Sequence, residues 1–228
     1  MTEVYDRDDP ILIDCTEGAG EIMLSDLTSV TIFGLSVAGE NTLSISGCRE
    51  VSVIGSEITN TSLDIASDQL ILEDCQFRGC SIYLDTWSDS DLLNSTFHDT
   101  TIRIENKENL TVENSTFLNS TLWLTDIKNF NISENSFVGS ESRLKINISF
   151  HSNNGLERNI FSNIFESCTP GLHFVNEDFR GYISWYNIYD NNFRNCSMAI
   201  VSDLSDWRDN RIWRNTFYHN GGTGDNDS

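Results

Sequence analysis

Apolar and polar residues alternate along this chain in bursts of three to five positions, and the bursts return at nearly constant intervals. Val37, Ile58, Phe77, Phe97, Phe117, Phe137, Phe165, Phe193 and Phe217 mark one recurring position, at steps of 21, 19, 20, 20, 20, 28, 28 and 24 residues. Apolar pairs precede many of these anchors: Val30/Ile32, Val51/Val53, Leu70/Leu72, Leu110/Val112 and Phe130/Ile132. A second set follows them: Leu43/Ile45, Leu63/Ile65, Ile82/Leu84, Ile102/Ile104, Leu122/Leu124, Leu144/Ile146 and Leu172/Phe174. Alternation with period two reads as short strands with one buried face. The spacers are Asn, Ser, Asp, Thr and Gly, which turn the chain, and no helical periodicity is visible. A repeat near 20 residues is too short for a helix-containing pair. One coil must therefore stack on the next, each strand pairing in parallel with its copy about 4.8 Å away. The expected fold is all-β, a single-stranded right-handed parallel β-helix of about nine or ten coils, roughly 40–45 Å long. It takes in residues 1–220 and leaves 221–228 as a flexible tail or linker.

Polar columns agree with the stacking. Two residues before the anchors come Ser56, Cys75, Ser95, Ser115, Asn135, Asn163, Asn191 and Asn215; three residues after come Thr61, Cys80, Thr100, Ser120, Ser140, Cys168, Cys196 and Asn220. Stacked amides and hydroxyls would satisfy backbone groups that the bends bury. A β-sandwich with polar turns does not predict such columns.

The unit Leu110-Thr-Val-Glu-Asn-Ser-Thr-Phe-Leu-Asn-Ser-Thr-Leu-Trp-Leu124 resembles the repeat of the right-handed, pectate-lyase-like β-helix superfamily, and the resemblance covers residues 11–220. It implies a fold shared by polysaccharide lyases, glycoside hydrolases, phage tailspikes and surface or adhesin-type proteins, and it does not choose among them. Hydrolases of that superfamily carry Asn-Thr-Asp, Asp-Asp, Gly-His-Gly and Arg-Ile-Lys elements. Here Asp8-Asp9 lies outside the repeats, Arg143-Leu-Lys145 stands alone, and the other two are missing. The resemblance therefore implies no catalytic residue.

Charge narrows the partners. Fourteen Lys and Arg against 35 Asp and Glu give a formal charge of −21, which excludes the basic footprint that nucleic acid or an anionic membrane requires. Such a surface suits high salt or divalent cations, or simply solubility. No apolar run reaches the length of a membrane span. Met1-Thr-Glu-Val-Tyr-Asp lacks the basic-then-apolar order of a signal peptide.

Six cysteines include no metal-type Cys-x-x-Cys pair. Cys168 and Cys196 share a column in adjacent coils, so a disulfide is expected there, whereas Cys75 and Cys80 read as thiols standing in for Ser. Asn-x-Ser/Thr sequons at Asn60, Asn94, Asn109, Asn114, Asn119, Asn131, Asn147, Asn195 and Asn226 fit a glycosylated surface protein, although ladder chemistry alone enriches the same residues.

Candidate chemistry sits on the outward positions of the second strands, which line up as Ser44, Asp64, Tyr83, Arg103, Trp123, Lys145 and His173. Tyr83, Arg103, Trp123, Lys145 and His173 combine rings with cations, a mixture suited to a glycan, and equally to ordinary cross-strand packing. In the superfamily's lyases the substrate cleft runs over the same strand. Late coils lengthen at Ser149–Glu157, Val175–Trp185 and Ser202–Asp209, bringing Phe150, His151, Glu177, Asp178, Phe179, Arg180, Tyr182, Trp185 and Trp207 to one flank. Asp-rich turns at Asp85–Asp91 and Asp203–Asp209 match neither the twelve-residue Ca²⁺ loop nor the Gly-rich nonapeptide Ca²⁺ repeat, so no cofactor is expected beyond a weak case for Ca²⁺.

These features lead to a non-enzymatic extracellular or cell-surface module, structural or adhesive, with a glycan-binding face. A polysaccharide lyase or glycoside hydrolase, or a fragment of one, is the alternative. The last coil stops at Asn220 without its second strand, so a homo-oligomer or a larger parent protein is expected to cover the open end.

Overall fold

Three strands per coil account for the alternation. The computed structural model describes residues 11–14 and 22–221, except 86–87, 106–107, 148–156, 176–182 and 204–206. Each coil passes through a leading strand, a short anchor strand and a trailing strand. Around Phe117 these are Asn109–Glu113, Thr116–Leu118 and Thr121–Thr125. Leu110 lies over Phe130, Phe117 over Phe137 and Leu122 over Leu144, all in parallel register. The described strands form a 24-stranded sheet wound into a solenoid, beside one two-stranded pairing of Ile183–Ser184 with Trp207–Arg208.

All nine anchors stack in register, from Val37 on Ile58 to Phe193 on Phe217. Nine anchors make eight steps, and the solenoid accordingly has about eight turns. That is fewer than the nine or ten coils expected, a figure that counted anchors and end strands rather than complete turns. Of the tail at 221–228, all but Gly221 lies outside the described residues.

The phenylalanines form a continuous file. Ring centroids from Phe77 to Phe193 are 4.5–5.1 Å apart, with planes within 14° of parallel. Backbone pairing sets the coil rise, and that rise is also a comfortable stacking distance for aromatic rings.

Bends repeat one device. The residue just before each inward polar position adopts the left-handed conformation: Asn60, Asp74, Asn94, Asp99, Asn114, Asn119, Asp190 and Asn195 all have φ between 48° and 56°. Asn and Asp tolerate that region best among residues bearing a Cβ. The next residue then turns inward and closes the ladder. Asn163 Nδ2 donates to Ile132 O at 2.8 Å, Phe161 O at 3.0 Å and Asn191 Oδ1 at 3.0 Å. Asn135 N–H donates in turn to Asn163 Oδ1 at 3.0 Å. In the narrower coils Ser95, Ser115 and Ser120 play the same part through one hydroxyl.

Two expectations are corrected. Ser140 is exposed; Ser142, fully buried, takes the ladder place and accepts from Ser120 N–H at 3.2 Å. The bend after Phe137 holds two extra residues, so a fixed count from the anchor missed it. Cys168 and Cys196 are free thiols, as are Cys48, Cys75 and Cys80. In-register residues on parallel coils have near-parallel Cα–Cβ bonds about 4.8 Å apart, wider than the ~3.8 Å that a disulfide favours between Cβ atoms. Cys168 Sγ instead donates to Phe137 O at 3.3 Å, and Cys196 Sγ to Phe165 O at 3.4 Å. Its hydrogen bond to Cys196, and then burial, push the Cys168 thiol up.

Candidate binding faces and family

The row expected on the trailing strands is present in full. Asp64 pairs with Tyr83, Tyr83 with Arg103, Arg103 with Trp123, Trp123 with Lys145, and Lys145 with His173. Alternation drives it: Leu122 and Leu124 point into the core and leave Trp123 between them facing out.

Side-chain packing changes what the row can do. Arg103 lies 4.6 Å from the Trp123 ring centroid, and Lys145 Nζ lies 3.6 Å from it, each reaching over from an opposite neighbouring coil. Both broad faces of the indole are thus taken by cations, so a sugar ring cannot stack there as expected. What faces outward is a pair of ordered cations held by one ring. Glu105 closes the lower end, accepting from Arg103 Nε at 2.5 Å and from Tyr83 Oη at 2.9 Å. Burial first, and the Glu105 hydrogen bond second, push the Tyr83 phenol up to about 12. His173 Nε2 sits 3.0 Å from Asp203 Oδ2 at the upper end.

A second row went unread in the sequence. Phe161, Tyr189 and Trp213 stack outside the leading sheet, with centroids 5.0 and 4.5 Å apart. Beside them Asn131, Asn159 and Asn187 form an external amide ladder, with Nδ2 to Oδ1 distances of 2.8 and 3.0 Å. The signal was available: each of these aromatics stands four residues before an anchor.

The other candidates fall as follows. Of the late-coil flank, Phe150, His151, Glu177, Asp178, Phe179, Arg180 and Tyr182 lie outside the described residues, as do the Trp207 side chain and Asn226. Asn60, Asn94, Asn114, Asn119 and Asn195 recur because each occupies a left-handed bend position followed by an inward Ser, Thr or Cys. Asn109 and Asn131 belong to outer amide ladders, and the Asn147 side chain is buried. In the Asp-rich turns, Asp89 accepts from Asn109 and Asp203 faces His173.

Soft metal ions require converging thiolate, thioether or imidazole donors. Among the described residues no three His, Cys, Asp or Glu converge. Cys48, Cys75, Cys80, Cys168 and Cys196 are buried as ladder thiols; burial pushes the first three up in pKa, away from thiolate, whereas the hydrogen bond shared with Cys168 brings Cys196 down to about 7. His98 lies 2.7 Å from Asp99, distant in sequence and column from His173.

No curated protein and no solved structure matches the chain. A family model does, described as periplasmic copper-binding protein (NosD), and it covers residues 27–227. Among the described residues no group of three metal-ligating His, Cys, Asp or Glu side chains stands ready for copper. The match spans nearly the whole solenoid, so the chain belongs to the NosD family, a periplasmic parallel β-helix family, in keeping with a place outside the cytoplasm.

Proposed function

We propose that this chain is a non-enzymatic scaffold of the extracytoplasmic space whose trailing sheet docks an acidic glycan. One observation carries the reading: Trp123 holds Arg103 and Lys145 at neighbouring coil positions on an otherwise acidic molecule. Ordering two long side chains in advance removes part of the entropy that binding would otherwise cost. At physiological salt, charges beyond about 8 Å are screened, so a carboxylated polymer meets these local cations rather than the distant net charge.

Titration calorimetry with an oligouronate, and with a neutral oligosaccharide as comparison, tests the proposal. Binding should be selective for the uronate and fall at least about tenfold in Arg103→Ala and Lys145→Ala. No unsaturated or reducing ends should be released. Absence of binding, or affinity unchanged in both variants, would overturn the reading. Turnover lost in Lys145→Ala would replace it with a lyase.

A further inference from the structure

Two cations on one column fix a spacing. Arg103 pairs with Trp123 and Trp123 with Lys145, so the cations stand two coil rises apart along the solenoid axis, about 9.6 Å at the backbone. Both heads lean on the ring between them. Glu105 engages Arg103 at Nε, and the terminal guanidinium nitrogens carry the other donors. Trp123 is uncharged, and with both faces filled it offers only an edge at the position between.

Neither end prolongs the positive stretch. Below it, Tyr83 gives its hydroxyl to Glu105 at 2.9 Å, and Asp64 follows on the next coil. Above it, His173 meets Asp203, whose side chain is 57% exposed. Arg143 stands one column aside, facing Glu141 at 3.8 Å and donating to Thr121 Oγ1 at 3.3 Å. Among the described residues, this column therefore presents a positive charge at two positions, with an uncharged ring between them and a carboxylate past each.

Successive sugars of an extended pyranose chain are nearly one coil rise apart. Laid along this column, such a chain sets alternate residues on Arg103 and Lys145 and one residue over the Trp123 edge. An acid group over either cation gains a charge-assisted hydrogen bond. One over the indole gains no charged partner, and one past either cation approaches Glu105 or Asp203. Every unmatched acid group is also repelled by a molecule of formal charge −21. We infer that this face reads acid groups on alternate residues only, so that its matched ligand is a polymer of alternating acidic and neutral sugars, an inference that rests on the acidic-glycan reading above.

Titration calorimetry with three oligosaccharides of equal length tests this: uronate alternating with N-acetylhexosamine, uronate at every residue, and a single uronate in an otherwise neutral chain. The alternating chain should bind at least about tenfold tighter than the single-uronate chain, and within about threefold of the all-uronate one. Lowering the salt should turn the second comparison toward the alternating chain, because unmatched acid groups then feel the net charge. In Arg103→Ala, and equally in Lys145→Ala, the alternating and single-uronate chains should bind alike, and still more tightly than a fully neutral chain. An advantage beyond about threefold for the all-uronate chain overturns the inference and leaves the acidic-glycan reading standing. An alternating chain no tighter than the single-uronate one does the same. If no uronate chain binds, the acidic-glycan reading falls and takes the inference with it.

Discussion

Asn163 shows how a single side chain holds three coils. Its amide donates to carbonyls of two coils and to Asn191, while its oxygen accepts from Asn135. Asn163→Leu leaves those buried groups unpaired and should cost about 3 kcal/mol or more, read by urea unfolding. Asn163→Ser should cost less, because serine fills the same column at Ser95 and Ser115. Removing a ring from the file, as in Phe137→Ala, should cost about 3–5 kcal/mol. The thiols make stability depend on pH. Burial raises the folded pKa of Cys48, Cys75 and Cys80, so the folded chain keeps these protons to higher pH than the unfolded chain does. Their contribution is complete below the unfolded thiol value near ~8.5 and declines as pH rises from there toward the raised values. The thermal midpoint in reducing buffer should therefore fall as pH rises above about 8.5, and the fall should flatten in Cys75→Ser/Cys80→Ser. The phenols of Tyr83 and Tyr186, pushed up to about 12 chiefly by burial, extend the loss at higher pH.

Strands and bends differ in how readily the sequence reveals them. Strand columns were legible because nearly every inward position is apolar, Ser90 and Arg158 excepted, and every coil repeats the demand, so the offsets from Phe97 and Phe117 to Ile102 and Leu122 hold. Bends were legible only where their length is constant. Ser142 escaped because two residues intervene after Gly139, and the Phe161–Tyr189–Trp213 row escaped because it begins where the period lengthens. The clamp of two cations on Trp123 was beyond reach of the sequence, since it depends on rotamers of long side chains and not on register. Bends also make a prediction of their own. Gly139 has φ 103°, and a Cβ there would collide with Asn119 Oδ1 of the coil below. Gly139→Ala should destabilise by about 1–3 kcal/mol, while changes at the exposed Ser140 should be nearly silent.

Across the whole molecule, stability is close to a sum of coils and their nearest-neighbour contacts. The 20-residue coils are interchangeable in register: Ser95 and Ser115 share a column, as do Thr96 and Thr116. Excising residues 96–115 joins Ser95 to Thr116 and leaves every column aligned. The shortened chain should fold, lose about 4.8 Å of length by small-angle scattering, and lose glycan affinity with Arg103. Failure to fold would show that particular coils, and not the repeat, carry the structure.

The file of stacked rings has one more implication. Because a turn can be inserted or removed only whole, the distance between any two surface features along the axis is quantised, like marks on a ruler. Duplication of a short gene segment would move a docking feature outward by one graduation while leaving its orientation unchanged, so the span of such a protein is adjustable without redesign of anything it carries.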